Sequence, residues 1–282
     1  MRLVYTADLH GYLAGYQRLC ELAVQYTAQA AIVGGDLLPH GISINAAIQT
    51  QCDFIEQALK PLLEQFRAVH PEIAVYLLPG NDDWAAAIET LATLEEAGLI
   101  HLLHERVFAL TENLWLAGYA CVPITPFSIK DYERHDEGDT PAYSFAMAYT
   151  SAGGRPVKTS LDAILRLPSI GEGLAALAQQ SDPARTIYVC HTPPYSTSLD
   201  AMLNKHVGSR ALRTFIAQRQ PLLTLHGHIH EAPHISGRFA ERLGTTWCVN
   251  PGHERTRFSA VTIDTDNIAD TLCHTLYGYL TD

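Results

Sequence analysis

Carboxylate, amide and imidazole side chains occur in this sequence in five short motifs that could together hold metal ions. Each motif closes an apolar run typical of a buried strand, and the runs are 2–7, 30–35, 73–78, 186–190 and 222–225. The motifs contain seven oxygen or nitrogen donors: Asp8, His10, Asp36, Asn81, His191, His228 and His230. Such a set is large enough for two divalent cations, and it indicates a hydrolase.

The elements that must position these donors alternate between strand and helix. Apolar residues recur at helical spacing over 16–26 and 54–66, and a third helix is predicted over 84–97. Pro61 predicts a kink or a restart in the second helix, because proline inside a helix costs about 3 kcal/mol. The alternation predicts a mainly parallel sheet of the α/β class. Ligands of such sheets bind at the carboxyl ends of the strands, where distant motifs can meet.

The second half of the chain has a different pattern. We expect an antiparallel pair of strands at 100–110 and 114–122, and further strands at 239–249, 258–263 and 268–279. The least regular stretch is 123–169. We predict one domain over 1–282, with 123–169 as an insertion beside the mouth of the site. That insertion is either a substrate lid or a solvated surface loop.

The order of the motifs (Asp-x-His, Gly-Asp, Gly-Asn, a strand-end His, then Gly-His-x-His) resembles that of the calcineurin-like metallophosphoesterases. The resemblance extends from Asp8 to Asn250-Pro251-Gly252. It implies a four-layer αββα sandwich, with two mixed β-sheets face to face and helices flanking them. It also implies two ion sites that share a bridging Asp36. The resemblance assigns Asp8, His10 and His230 to one ion. It assigns Asn81, His191 and His228 to the other ion.

The mixture of donors favours two transition-metal ions, such as Mn, Fe, Zn, Ni or Co, over Mg or Ca alone. A bridging carboxylate lets two cations sit about 3.5–4 Å apart. Such a pair lowers the pKa of a shared water, so that metal-bound hydroxide can attack phosphorus near neutral pH. The residues expected to carry catalysis are Asp8, Asp36, Asn81 and His191.

One position departs from the family pattern. The usual Gly-Asn-His-Asp/Glu motif carries a His that contacts the phosphate and can protonate the leaving group, but Asp82 stands in its place. Like charge disfavours a carboxylate beside a phosphate unless the carboxyl group stays protonated. We therefore expect weaker hydrolysis of esters with poor leaving groups. Asp82 and Asp83 are candidates for orienting Asn81 or His191.

Other imidazoles are candidates for the missing acid, namely His40, His226 and His253. Arg255 and Arg257 follow His253 and are candidates for binding a substrate phosphate. The alternative is that this segment is an exposed turn.

The charge of the chain limits its partners. The formal net charge is −11, and no basic run is longer than two residues. Nucleic-acid-binding proteins depend on Lys and Arg for affinity, so a nuclease is disfavoured and a small-molecule phosphate ester is the expected partner. Only 17% of residues are charged, which suggests extensive burial or a homo-oligomer interface.

The composition also predicts a cellular compartment. No apolar run approaches the roughly 18 residues needed to span a bilayer, and a cleavable signal peptide would remove Asp8. The six cysteines are widely spaced without a Cys-x-x-Cys pair, which is typical of buried thiols in a reducing compartment. We predict a cytoplasmic protein with no membrane association.

Taken together, these features predict a dinuclear metal-dependent phosphoesterase, either a phosphodiesterase or a phosphatase. A small-molecule phosphodiester or a nucleotide is the favoured substrate. The alternative is a non-catalytic or weakly active scaffold on the same fold. The missing His favours that alternative, and the intact set of seven donors argues against it.

Overall fold

Two β-sheets carry the motif-bearing strands in a computed structural model that describes residues 1–41, 43–138, 147–254 and 256–280. The strands are β1 (Arg2–Thr6), β2 (Ala30–Gly34), β3 (Ala74–Leu78), β4 (His101–Leu102), β5 (Arg106–Thr111), β6 (Leu114–Tyr119), β7 (Val122–Pro123), β8 (Glu133–Arg134), β9 (Tyr149–Thr150), β10 (Val157–Lys158), β11 (Thr186–Cys190), β12 (Ala201–Met202), β13 (Lys205–His206), β14 (Leu223–Leu225), β15 (Ala240–Leu243), β16 (Thr246–Val249), β17 (Val261–Asp264), β18 (Cys273–His274) and β19 (Gly278–Tyr279). The helices are α1 (Leu13–Gln25), α2 (Ala47–Phe54), α3 (Lys60–Val69), α4 (Ala85–Glu96), α5 (Leu161–Leu165), α6 (Ile170–Leu177), α7 (Arg210–Arg219), α8 (Ala232–Ser236) and α9 (Ile268–Thr271), with short 3₁₀ turns at Ala152–Gly154 and Pro183–Arg185.

Both large sheets are mixed. The first has the strand order β19-β18-β17-β1-β2-β3-β4, and the second has the order β15-β16-β14-β11-β6-β5. The strands that precede the motifs are parallel within each sheet: β1, β2 and β3 in the first, β11 and β14 in the second. Antiparallel strands flank them, such as β17 beside β1 and β5 beside β6. The carboxyl ends of the motif-bearing strands therefore share one edge in each sheet.

Alternating side chains of β1 belong to two apolar cores, one on each face of the first sheet. Leu3 and Tyr5 are buried in the core between the two sheets, whereas Val4 is buried in the core between the first sheet and helices α1 to α4. On the second sheet, Phe215 of α7 packs against Tyr188 of β11, with ring centroids 5.1 Å apart. The layers are helix, sheet, sheet and helix, which confirms the predicted α/β sandwich of two mixed sheets.

The second predicted helix is longer than its apolar pattern suggested, and its last α-helical part begins at Lys60, next to Pro61. It runs from Ala47 through α2, a single π-helical turn at Ile55–Leu59 and then α3. Pro61 lies in the first turn of α3, where its missing N–H costs little. The wider π turn immediately precedes the proline, so the helical segment continues without a break.

Three strand predictions were wrong in detail. The predicted strand 239–249 is an antiparallel hairpin, in which β15 pairs with β16. The predicted strand 100–110 is divided, because His101–Leu102 pairs with β3 in the first sheet while Arg106–Thr111 pairs with β6 in the second. Leu103, between them, is fully buried where the chain crosses from one sheet to the other. The predicted strand 268–279 begins instead with helix α9 and continues as the short strands β18 and β19.

The described parts of the 123–169 segment pack on helix N-termini. Asp131 accepts hydrogen bonds from the backbone of Ala85, next to the start of α4, and from Ser151. Asp136 accepts from the backbone N–H groups of Arg210 and Ala211 at the start of α7. The lid and the single-domain organisation stay predictions. In the described ranges, no helix has the length and apolar character needed to cross a membrane.

Candidate metal centre

Three of the four predicted donors of the first sheet lie on a left-handed backbone. Asp8 and His10 follow β1 with φ values of 59° and 44°, and Asp36 follows β2 with φ of 49°. Backbone hydrogen bonds hold this geometry, since Asp8 N–H donates to the Gly35 carbonyl at 2.9 Å and His10 N–H donates to the Asp36 carbonyl at 2.8 Å. Side chains other than glycine rarely adopt such φ values, and clusters of them mark functional sites.

The second sheet presents imidazoles at the same place. His191 follows β11, and its Nδ1 donates to the Gly34 carbonyl at 2.9 Å. That bond keeps a proton on Nδ1, so that the neutral form of the ring would present Nε2 as the ligand atom. His228, which follows β14 with φ of 65°, uses its backbone N–H to bind both Asp8 carboxylate oxygens at 3.0 and 3.1 Å.

Six of the seven predicted donors form two groups with one member in common. The first group contains Asp8, His10, Asp36 and His230, and the second contains Asp36, His191 and His228. Asp36 Oδ2 lies 3.3 Å from His191 Nε2 and 3.8 Å from His10 Nε2, so a single oxygen faces both groups. In the first group, His10 Nε2 and His230 Nε2 converge to 3.2 Å.

The buried polar atoms of the site fit divalent cations. His191 Nε2 and Asn81 Oδ1 are both buried without a hydrogen-bond partner in the structure. An unsatisfied buried acceptor such as the Asn81 oxygen costs about 1–3 kcal/mol, and a cation would satisfy it. The same cation would take the place of a proton on His191 Nε2, which faces Asp36 Oδ2 at 3.3 Å. Asn81, the seventh predicted donor, is next to Asp82, whose backbone N–H donates to Asp36 Oδ1 at 2.9 Å. The oxygen and imidazole donors together suit the transition metals.

The charges of the cluster are strongly coupled. Burial by itself would lower the pKa of His191, but the carboxylates of Asp36 and then Asp8 raise it to about 9. Burial likewise opposes a charged His230, and the Asp8 carboxylate raises its pKa to about 9. For His228, burial and the neighbouring His191 lower the pKa to about 3. Without metal, protonated imidazoles therefore supply the positive charge that the carboxylates require.

Comparison with known proteins agrees with this geometry. A family model for the calcineurin-like phosphoesterases matches residues 1–232. The chain belongs to the calcineurin-like phosphoesterase family. It is therefore a metal-dependent phosphoesterase, and the buried cluster is its candidate metal centre.

Solved structures share the fold of this phosphoesterase at low sequence identity. One crystal structure aligns over 98% of this chain and 99% of its own, with 16% identity and a TM-score of 0.64. The crystal structure of TT1561 from Thermus thermophilus aligns over 97% of each chain, with 20% identity and a TM-score of 0.60. Comparison with curated protein sequences found no match.

Two glycines of the phosphoesterase let the backbone approach the cluster. Gly35 has φ of 118°, and a β-carbon there would overlap the His191 ring. A β-carbon on Gly80 would overlap Asp36 and come within 2.7 Å of His191 Nε2. The two motifs need glycine at these positions because donors from three different strands meet there.

Asp83 holds two motif loops together. Its buried carboxylate accepts from the backbone N–H groups of Leu37 and Leu38, both at 2.9 Å, and from Gly80 at 2.8 Å. The loop after β2, which carries Asp36, is thereby joined to the loop after β3. Asp82 accepts a hydrogen bond from Asn81 Nδ2 at 3.1 Å. The other polar atom of that amide, Asn81 Oδ1, has no protein partner.

Asp82 occupies the mouth of the metal centre. Its Oδ2 lies 3.6 Å from His40 Nε2 and 3.9 Å from His10 Nδ1. Burial and the neighbouring Asp36 and Asp83 carboxylates raise the pKa of Asp82 to about 8. In the metal-free centre this carboxyl group is therefore largely protonated at neutral pH.

The candidate replacements for the missing His differ in position. His40 stacks on His10 with centroids 4.9 Å apart, and the His253 ring lies 5.4 Å from that of His230. His226 is a core residue, since its two ring nitrogens bond to the Cys190 carbonyl at 2.9 Å and to Thr224 Oγ1 at 2.8 Å. Arg255 lies outside the described residues.

A cavity of about 830 Å³ opens from the cluster. Its floor is formed by His10, Asp82 and His230. Sequence reasoning missed most of its walls, because no local motif marks them. The wall residues include Tyr12, Glu231, Pro233, His234, Pro251, Glu254 and Tyr277. Arg257 also lines it, and its guanidinium is bound by Glu254 through two hydrogen bonds of 2.8 Å.

Proposed function

We propose that this phosphoesterase hydrolyses a small-molecule phosphodiester or a nucleotide, with the diester favoured, at a dinuclear metal centre. The observation that carries the proposal is the position of Asp36, whose Oδ2 faces His10 of one donor group and His191 of the other. A shared carboxylate is the feature by which proteins hold two cations close together.

The proposed ligands divide between two ions that share Asp36. The first ion would be held by Asp8, His10 and His230. The second ion would be held by Asn81, His191 and His228. Imidazole-rich sets of this kind favour Mn, Fe, Zn, Ni or Co. When bound, the two ions supply Lewis acidity that activates water and stabilises charge developing on the phosphate.

The protein contributes a preorganised set of donors. The Gly34 carbonyl holds the His191 ring, and the backbone N–H of His228 holds the carboxylate of Asp8 in a fixed orientation. A left-handed backbone at a non-glycine residue costs about 1–3 kcal/mol, and four of the donor residues have one. Such cumulative strain supports catalysis over a scaffold role, because a scaffold has no use for it.

The substrate class follows from charge and space. The cavity is far larger than one phosphate group, so the substrate has an organic group as well. A chain with net charge −11 and no basic run lacks the features that bind a nucleic-acid backbone. A small-molecule phosphate ester with an organic group satisfies both conditions, and the diester is the member of this class that we propose.

Metal content by mass spectrometry, together with hydrolysis of bis-p-nitrophenyl phosphate and p-nitrophenyl phosphate, tests the proposal. We expect two metals per chain, turnover that depends on added Mn, and a higher rate on the diester. Less than one metal per chain and no turnover after Mn loading would contradict it. A higher rate on the monoester would contradict only the diester assignment.

The scaffold alternative rests on Asp82, which replaces the family's phosphate-contacting His. Substituting the central carboxylate, Asp36→Asn, separates the two functions. An enzyme loses nearly all turnover while its circular dichroism spectrum is unchanged, whereas a scaffold has no turnover to lose. Asp162→Asn, at an exposed position on α5, makes the same chemical change far from the cluster and is the control.

A further inference from the structure

The walls of the main cavity come largely from a part of the chain beyond the family match. The match ends at residue 232, whereas Pro251, Glu254, Arg257 and Tyr277 line the cavity. The floor contains His10, a donor of the first group. The cavity is thus continuous with the candidate metal centre, while most of its walls lie outside the matched residues.

The wall surface is rich in aromatic and proline side chains. Tyr12 and Tyr277 are 46% and 45% exposed, although both are large apolar side chains that would normally be buried more deeply. Tyr277 is held in place by its neighbours, since its ring lies 4.7 Å from that of His274 and stacks on Phe239 at 6.4 Å. An aromatic face held in this way can receive a planar ligand without further loss of side-chain entropy.

The charges of the cavity disfavour a second anionic group. Among the described lining residues, Arg257 is the only arginine or lysine, and both of its hydrogen bonds to Glu254 are 2.8 Å long. Glu231 adds a negative charge to the wall. The other titratable groups of this wall include the histidines His234 and His253. A second phosphate or a carboxylate would need a fixed positive charge, but Arg257 is already bound by Glu254, whereas an uncharged ring needs no such charge.

We propose that this cavity is a subsite for the uncharged aromatic group of a phosphodiester substrate, with Tyr12 and Tyr277 as its specificity-determining residues. The inference rests on the proposed function, because it places the phosphate of the same substrate at the metal centre. It narrows the substrate class to diesters in which at least one organic group is an uncharged planar ring.

Competitive inhibition tests this subsite with two monoanions that differ only in the organic group, phenyl methylphosphonate and methyl methylphosphonate. In the Mn-loaded wild type, we expect the phenyl compound to inhibit bis-p-nitrophenyl phosphate hydrolysis about tenfold more strongly. We expect 4-carboxyphenyl methylphosphonate to lose most of that advantage. Calorimetric titration of the same protein measures the affinities directly, so the subsite is tested even without turnover.

Substitution of the two tyrosines identifies the residues responsible. Tyr277→Ala and Tyr12→Ala should each weaken the binding of phenyl methylphosphonate about five- to tenfold. The binding of methyl methylphosphonate should change by less than about twofold. Tyr277→Phe should retain the wild-type preference. Tyr279→Ala is the matched control, because Tyr279 is 65% exposed two residues along the chain and does not line the cavity.

The outcomes separate this inference from the proposed function. Equal inhibition by the phenyl and methyl compounds, or equal effects of Tyr277→Ala and Tyr279→Ala, would overturn the subsite while diester turnover continued. Absence of diester turnover combined with a preference for the phenyl compound in calorimetry would overturn the proposed function and retain the aromatic subsite.

Discussion

The two sheets contribute different predicted donors to the candidate metal centre. The first sheet supplies every oxygen donor and a single imidazole, whereas the second sheet supplies imidazoles only. Most of the negative charge therefore lies on one side and most of the nitrogen donors on the other. Under the proposed ligand assignment, each ion would take donors from both sheets, so the centre would require the sheets to pack face to face.

Each sheet also fixes a donor of the other. The carbonyl of Gly34, on the first sheet, holds the ring of His191, which belongs to the second. In return, the backbone N–H of His228 binds the carboxylate of Asp8. These reciprocal hydrogen bonds are buried or partly buried, so loss of one partner leaves a polar group unsatisfied. Substitution on one side should therefore disturb ligands on both.

The largest effect should come from the shared carboxylate of the first sheet. We expect Asp36→Asn to lose both metals and to lower diester turnover about 10³-fold, because both ions depend on this group. His228→Ala, on the second sheet, should lose one metal and retain the other. Metal content and turnover of the two purified variants check this difference. Two retained metals in Asp36→Asn would refute the bridging role.

Metal binding should displace protons from the second-sheet imidazoles. His191 and His230 have pKa values raised to about 9, so both are protonated in the metal-free protein at pH 7.5. A metal needs their neutral form, and we expect release of about two protons per chain on loading. Metal affinity should fall as pH falls, by up to about a hundredfold per unit.

Calorimetric titration of Mn in buffers of different ionisation enthalpy measures this proton release. The same titration on His191→Ala should release about one proton fewer. Equal metal affinity at pH 6.5 and 8.0 would show that the imidazoles are already neutral before metal binds.

A methyl group at the contact between the sheets should also disturb the centre. Gly35→Ala places a β-carbon against the His191 ring, and residue 35 has a φ of 118° that alanine rarely adopts. We expect this variant to be destabilised by about 3 kcal/mol and to bind less metal. Gly98→Ala is the matched control, since Gly98 also has a positive φ, 71°, but has nothing within 4 Å of the new β-carbon. Gly98→Ala should lower the free energy of unfolding by about 1 kcal/mol and leave the metal content unchanged.

Urea unfolding of the two glycine variants, compared with the wild type in the presence of chelator, separates the folding effect from metal binding. Equal destabilisation by Gly35→Ala and Gly98→Ala would mean that the His191 contact has no energetic consequence.

The smallest effect should come from the mouth of the centre. Asp82→His restores the family residue, and we expect turnover of alkyl esters to rise about tenfold while p-nitrophenyl esters change less than about twofold. The reason is that only poor leaving groups need a proton donor. A leaving-group series gives the measurement, and Asp82→Asn should not reproduce the gain. An equal rise for both ester types would contradict the proton-donor explanation.

Local patterns explain which parts of the fold were predictable. A polar motif after a buried apolar run is a short-range feature, so β1, β2, β3 and β11 were predicted almost to the residue. The division of 100–110 between sheets was not predictable, because either half has the same alternation and only packing decides its partner. His226 illustrates the same limit, since its role as a core residue depends on the Cys190 carbonyl 36 residues earlier.

The sequence by itself determined the kinds of donor, their order and the α/β class, because these follow from residue type and spacing along each strand. Only the tertiary structure decided that Asp36 faces both donor groups and that the Asp8 carboxylate is held from a residue 220 positions away. It also decided that Tyr12 and Tyr277 face one cavity. Distances between remote segments depend on how the sheets pack, and no local pattern records that packing.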